Sequence, residues 1–253
     1  MRIRRTRPIV ESKRDRVPRG ISSYPARQTD RVTFLITAGP TREAIDPVRY
    51  ISNRSSGKMG YAIAEAALDA GHDVILIAGP TNLAPPRNTN FISVSTSDEM
   101  FDAVHQHADS SDISVLCAAV ADYKPAQLSP VKIKKRAVEF SLELVPTRDI
   151  LQSLGRLQTR KFLLVGFAAE TDHLEANARE KLRKKNCDII VANDARIGME
   201  SDENELLILF RDGQTKRISR APKKFLAREL VKIFLKFATK KFDKKDVTIT
   251  ERT

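Results

Sequence analysis

The segment "ISNRSSGKMG", residues 51–60, sets two serines, a lysine and two glycines directly ahead of the amphipathic stretch "YAIAEAALDAG". Backbone N–H groups in the first turn of a helix lack intrahelical partners and carry partial positive charge, and glycine lets an anion approach the main chain. Ser55, Ser56 and Lys58 add side-chain donors, so the chemistry this stretch suits is phosphate binding. It has neither the G-x-x-x-x-G-K-[ST] spacing of a Walker A loop nor the G-x-G-x-x-G of nicotinamide enzymes. The competing reading is that Gly57 and Gly60 only permit a tight turn and close packing of helix on sheet.

Three further groups of residues have chemical potential. In "CAAVADYKP", Asp122 follows an apolar strand and could accept from hydroxyls or help hold a cation, or else cap a turn. "KIKKR", Lys132 to Arg136, follows Ser129-Pro130 in a non-helical context and suits a polyanion such as a triphosphate, or else forms a solvated face. In "EKLRKKN", Lys181 and Lys185 are four apart, hence on one side of a helix. His105 and His107 are two apart and point to different sides of a helix, which argues against a metal site. Cys117 and Cys187 lack C-x-x-C spacing and predict neither a disulfide framework nor a thiolate metal site; Cys117, in "VLCAAV", reads as a small buried residue.

These residues need a scaffold that brings loops together, and the pattern of the chain supplies one. "TFLITAG" and "VILIAGP" are short, apolar and end in glycine, as buried parallel strands do. Between them Met59, Ile63, Ala66, Ala67 and Ala70 recur at helical spacing up to a C-cap at Gly71. Strand "FISVS", a helix "SDEMFDAVHQHA" capped by Ser97 or Asp98, and strand "SVLCAAV" repeat the pattern, followed by an extended "VEFSLELV". Helix "RDILQSLGRL", strand "FLLVGFAAE", helix "LEANAREKLRKKN" and strand "DIIVAND" come next. A hairpin, "NELLILFRDGQTKRIS" with its turn at Asp212-Gly213, precedes a last helix from Pro222 to Phe237. The expected fold is α/β: a Rossmann-like, doubly wound, mostly parallel sheet with helices on both faces, a C-terminal β-hairpin, and ligands at the carboxyl edge of the strands.

The 253 residues carry a net charge of +12, which is unevenly spread. Residues 1–31 account for +7 and residues 232–253 for +4, leaving a core of +1. Three regions are therefore expected: a basic, flexible N-terminal arm over 1–31, a catalytic-sized domain over 32–238, and a basic tail over 239–253. The arm is Arg-rich, as transit peptides are, although Glu11 and Asp15 count against that role. No apolar run reaches the length of a membrane span and the N-terminus lacks a secretory core, so a cytoplasmic protein is expected.

Taken in order, "ITAGPTREAIDPVRYISNRSSGKMG", "AAVADY", "KIKK", "VGFAAET" and "AND" resemble the motifs of phosphopantothenoylcysteine synthetase, the cysteine ligase of coenzyme A synthesis, over roughly Val32 to Phe237. In many bacteria that enzyme is fused behind a flavin-dependent decarboxylase, for which 31 preceding residues are too few. The resemblance therefore implies the synthetase alone, free-standing or excised, as a homodimer with sites near the interface and a separate decarboxylase as a candidate partner. It also implies Mg²⁺ as cofactor and a nucleoside triphosphate, CTP rather than ATP, as co-substrate. The carboxylate of 4′-phosphopantothenate would be activated as an acyl nucleotide with release of pyrophosphate, and the cysteine amine would then displace the nucleotide.

Carried over residue by residue, the resemblance assigns Lys132 to formation of the acyl nucleotide and Asn53 to its conversion by cysteine. It assigns Arg49, Ala118, Ala119 and Asp122 to substrate, with Arg49 holding phosphate across a dimer. Gly39, Ser55, Gly57 and Gly60 match the phosphate loop; Lys181 and Lys185 match further nucleotide contacts; Phe167 and Asn193 would flank the nucleotide. The bacterial branch reads cytosine mainly through main-chain groups of a "PDI" segment. Here that segment is "TRDIL", with Arg148 in place of the proline and Asp149, Ile150 and Leu151 following, a change expected to free the local φ and loosen base selection. The stretch between Lys135 and Leu142 is shorter than in some relatives. A nicotinamide oxidoreductase would share the fold, but the second strand ends in "AGPTN" without the required acid. A Rossmann-like protein whose basic tails bind nucleic acid is the alternative, although the core shows no clustered basic face or stacking platform.

Overall fold

The computed structural model describes residues 31–135, 139–198 and 201–250. The basic arm expected over 1–31 thus lies, apart from Arg31, outside the described residues. The chain begins with β1 (Thr33–Ala38) and a short ribbon, β2 (Arg42–Ala44) and β3 (Tyr50–Ser52). Helix α1 (Lys58–Asp69) leads to β4 (Asp73–Ala78) and β5 (Asn90–Ser93), and α2 (Ser97–Ala108) leads to β6 (Ile113–Leu116). A second ribbon, β7 (Tyr123–Pro125) and β8 (Leu144–Pro146), precedes α3 (Ile150–Gly155), β9 (Leu163–Glu170), α4 (Leu174–Lys184) and β10 (Ile189–Asp194). A single turn, α5 (Ala195–Gly198), the hairpin β11 (Glu203–Phe210) and β12 (Thr215–Pro222), and α6 (Lys223–Thr250) complete it.

The strands form one sheet in the order β12-β11-β10-β9-β6-β1-β4-β5. Six strands are parallel and the hairpin at one edge is antiparallel, the expected doubly wound arrangement. Each inner strand is apolar on both faces because both faces are covered. Phe34, Ile36, Leu76 and Val115 pack with Ile63 of α1 and Leu226, Leu230 and Phe234 of α6. Leu35, Ile77, Leu164 and Ile190 pack on the other side with Met100 and Val104 of α2, Leu154 of α3 and Ala178 of α4. From β1 the chain winds one way through β4 and β5 and the other way through β6, β9 and β10. The gap between the carboxyl ends of β1 and β6 is thus the topological switch point. No helix among the described residues is long and apolar enough to cross a membrane.

Several elements differ from the sequence expectation. The N-cap of α2 is Thr96, whose Oγ1 accepts from Glu99 N at 3.2 Å while Glu99 reaches back to Thr96 N, a capping box that Ser97 and Asp98 could not close. Strand β6 stops at Leu116, because Ala118 N turns to Thr37 Oγ1 and Ala119 N to the Gly39 carbonyl. The last helix starts after Pro222 and runs on to Thr250 rather than ending at Phe237.

The two ribbons and the loop after β7 form a lobe beside the switch point, pinned by one carboxylate. Asp46, with a fully buried side chain, accepts from Val48 N (2.8 Å), Arg49 N (2.9 Å), Arg49 Nε (3.0 Å) and Ile133 N (3.1 Å). The Arg49 guanidinium above all, with these backbone donors and against the cost of burial, holds the Asp46 carboxyl well below its usual range. A depressed folded value means that this stability is present above the unfolded carboxyl value of about 4 and is lost as pH falls below it. Asp46→Asn is expected to destabilise the domain by about 2 kcal/mol at pH 7 and to flatten the acid limb of its stability curve, measured by urea unfolding between pH 7 and 3.

Candidate functional site

The loops that follow β1 and β6 are stitched together by their main chains. Ala119 N donates to the Gly39 carbonyl (2.9 Å), Thr41 N to the Ala119 carbonyl (3.3 Å), and Ala121 N to Thr41 Oγ1 (3.0 Å). Asn53, entering the next loop, donates from Nδ2 to the carbonyls of Ala119 (3.2 Å) and Val120 (2.9 Å). The loop then reaches Gly57, which caps α1 in a left-handed conformation (φ 74°) and brings no side-chain cap of its own; Ser56 Oγ accepts from Lys58 N at 3.5 Å. The packing reading of the glycines holds. Gly57 needs its backbone angle, while a Cβ on Gly60 would sit 2.6 Å from Ala38 Cβ, so Gly60 sets how closely α1 lies on β1.

This junction opens into a cavity of about 620 Å³ at the carboxyl edge of β1, β6, β9 and β10. Of the residues singled out in the sequence, it gathers Asn53, Ser55, Gly57 and Gly60 on one wall and Ala118, Ala119 and Asp122 on another. Arg148, Asp149, Ile150 and Leu151, with Phe167, Lys181, Lys185 and Asn193, close the remaining sides. Gly39 lies beneath, with its Cα 3.3 Å from where a Gly57 Cβ would be. Arg49 and Lys132 do not line the cavity. Arg49 is engaged with Asp46 and the Ile133 carbonyl (2.8 Å), and Lys132 is exposed on the lobe. Arg136 lies outside the described residues.

Some expected donors already have partners. Lys58 Nζ pairs with Asp202 (2.5 Å), Lys185 Nζ with Asp149 (2.5 Å), and Asp149 Oδ1 caps α3 through Gln152 N (2.8 Å). Arg148 lines the wall but its guanidinium turns onto α2, reaching Asp98 and Asp102. The Lys124 ammonium first, then Arg148, holds the Asp98 carboxyl below its usual range. Sequence patterns missed Asn204 and Lys223, which also line the cavity and are buried. Burial, and then the charge of Lys58, pushes the Lys223 ammonium down. No local signal marked it, since only folding brings the start of α6 to this edge. Cys117, expected to be buried, is instead half-buried and lines the cavity; its largely apolar surround pushes its thiol up to about 12. The resulting site has a helix start whose Gly57 cap brings no side chain, lysines on two sides, two exposed carboxylates, Asp122 and the lysine-paired Asp149, and a ring and amide at its back. It is suited to a large anionic ligand with a planar part.

Residues 29–237 match the model of the DNA/pantothenate metabolism flavoprotein C-terminal domain. The chain belongs to this family. It is 49% identical over 198 residues to the coenzyme A biosynthesis bifunctional protein CoaBC of Haemophilus influenzae, covering 78% of this chain and 49% of that protein. It therefore spans about half the length of the curated relatives it matches. The crystal structure of the C-terminal domain of a CoaBC superposes with a TM-score of 0.72 at 42% identity, covering 83% of this chain and 96% of that one. A structure of Cab2 in complex with phosphopantothenate-cysteine, 17% identical with a TM-score of 0.71 over 84% of this chain and 89% of that one, shares the fold. This member of the DNA/pantothenate metabolism flavoprotein family thus corresponds to the C-terminal half of CoaBC, the region its motifs resemble.

Because Gly60 fixes the approach of α1 to β1, Gly60→Ala should force the helix start away from the sheet. The expected cost is about 1–3 kcal/mol in unfolding free energy, with weakened binding of any phosphate ligand, checked by thermal melts and by calorimetry with CTP.

Proposed function

We propose that this domain is a phosphopantothenate–cysteine ligase that works through an acyl nucleotide. The observation that carries the reading is the gathering, in one cavity at the switch point, of the 53–60 loop, Asp122, Lys181, Lys185, Phe167 and Asn193, in a chain 49% identical to a CoaBC over 198 residues. In the first step a carboxylate oxygen of 4′-phosphopantothenate attacks the α-phosphorus of the nucleotide, and pyrophosphate leaves. In the second the cysteine amine attacks the acyl carbon, loses a proton, and expels the nucleoside monophosphate with the oxygen that joined it. Amides at the start of α1, with Lys181 of α4 and Lys185 at its C-cap, favour the charge of the triphosphate and its leaving group.

Lys132 acts in the first step and Asn53 in the second. Both Asn53 donor bonds are engaged with Ala119 and Val120, so substrate must displace one of them for the amide to meet the acyl oxygen. Mg²⁺ fits this site as a cation carried by the triphosphate. Among the described residues no cluster of three or more His, Cys, Asp or Glu could cage a metal, and the pocket offers Asp122 beside the lysine-paired Asp149. When bound, it would offset charge on the phosphates.

The lobe supports the homodimer reading. Val48, Tyr50, Tyr123, Leu128, Val131, Phe140 and Leu144 are all exposed, and all lie on it, beside Arg49 and Lys132. A second copy covering this apolar face would carry Arg49 and Lys132, which miss their own chain's cavity, toward the partner's. CTP is the proposed nucleotide, the cytoplasm the proposed location, and a decarboxylase the proposed recipient of the product.

Purified protein given 4′-phosphopantothenate and Mg²⁺ is expected to release pyrophosphate with CTP and to form amide once cysteine is added. Lys132→Gln should lose the first half-reaction by about a hundredfold or more, while Asn53→Ala keeps it and loses the second. Release with neither CTP nor ATP would overturn the ligase reading. Light scattering should give a dimer, and Tyr50→Glu with Val131→Glu should give monomers that have lost activity. An active monomer would contradict a shared site.

A further inference from the structure

Between β8 and α3 the cavity wall, Thr147 to Asp149, has no regular secondary structure, yet it is held from two sides. Inward, Thr147 N donates to the Asp122 carbonyl (2.9 Å) and Thr147 Oγ1 to the Ala121 carbonyl (2.6 Å). Outward, Arg148 lies across the first turns of α2. Its Nε donates to Asp98 Oδ1 (2.9 Å), one terminal nitrogen to Asp102 Oδ1 (2.8 Å) and the other to the Asp98 carbonyl (3.0 Å). The guanidinium carbon is 4.0 Å from the centre of the Phe101 ring. That ring stacks on His105, with centroids 4.0 Å apart, and His105 Nε2 meets Ser153 Oγ of α3 at 2.8 Å. Helix α2 therefore grips the segment on both sides of Asp149, Ile150 and Leu151. An isolated exposed ion pair contributes little, but a planar fork with three donors and a stacked ring fixes a geometry.

The charge balance indicates what this wall is for. Arg148 is neutralised by Asp98 and Asp102, and Asp149 by Lys185, so the wall presents main chain and the apolar Ile150 and Leu151. The features suited to phosphate lie on other walls. An uncharged wall of fixed main-chain position suits a planar base.

We propose that Arg148 is a positioning residue for nucleotide selection, locking Thr147–Leu151 against α2 so that this wall meets one base better than another, without its side chain contacting the ligand. The inference rests on the nucleotide reading of the cavity. It also reverses the sequence expectation that replacing proline by Arg148 loosens the segment, since the side chain restrains from outside what a ring would restrain from within.

The test uses Arg148→Ala and Arg148→Lys in the full chain. In Arg148→Ala, hydrogen exchange of the amides of residues 147–152 should speed up in the free protein. KM for CTP should rise about tenfold and the CTP-to-ATP ratio of kcat/KM should fall by about the same factor, with KM for cysteine changed less than about twofold. Arg148→Lys keeps the charge but not the fork, and should fall between. Unchanged exchange in Arg148→Ala would overturn the clamp whatever the kinetics. A uniform rise in KM for all substrates with a lowered melting point would overturn the selective role. Wild-type protein that releases pyrophosphate with neither nucleotide would defeat the parent reading, an outcome distinct from either of these.

Discussion

Everything at this site depends on how the loops after β1 and β6 are tied to each other where the sheet reverses direction. Strands that part at a switch point leave a crevice whose floor would carry unpaired main-chain groups. Here Ala119 exchanges bonds with Gly39 and Thr41, Thr37 and Thr41 hydroxyls take the next amides, and Asn53 Nδ2 bridges two carbonyls across the seam. The seam fixes the floor of the cavity, and the left-handed Gly39 and Gly57 let the loop after β1 and the start of α1 pack closely on each other and on Thr81. The 53–60 loop, the lobe and the strand ends are all positioned by reference to it.

The charges around the cavity follow a consistent division. Lysines and arginines near it are mostly paired to carboxylates that belong to neighbouring elements, as Lys58 with Asp202, Lys185 with Asp149, and Arg148 with Asp98 and Asp102. Such pairs hold the walls of the cavity in place. Preorganisation of this kind lowers the ordering cost of binding. The lobe contributes differently. Its Arg49 and Lys132 do not line the cavity of the same chain, and its apolar side chains are exposed.

Much of this was legible because the signals are local. Apolar runs of strand length, helical spacing from Met59 to Ala67, and the Asp212-Gly213 turn each specify their element within a dozen residues, and the doubly wound order follows from their alternation. The 53–60 loop and the Asp122 turn were legible for the same reason. The lobe was not, because β2, β3, β7 and β8 have three residues each and exist through Asp46, which joins residues more than eighty positions apart. Lys223 and Asn204 reach the cavity only through the packing of α6 and β11. Arg148 was visible as an oddity in its segment, but its effect depends on Asp98 and Phe101, about fifty residues earlier. The α2 cap was misplaced by one residue because Thr96, Ser97 and Asp98 are all competent caps, and the reciprocal Glu99 bond decides among them.

The central claim is that the carboxylate of 4′-phosphopantothenate becomes joined to the α-phosphorus of the nucleotide. The measurement that tests it most directly is the fate of ¹⁸O placed in that carboxylate, followed by mass spectrometry after turnover with CTP, Mg²⁺ and cysteine. An acyl nucleotide predicts one ¹⁸O in the CMP formed and none in pyrophosphate. Label in inorganic phosphate with release of CDP, or label absent from every phosphorus product, would contradict it.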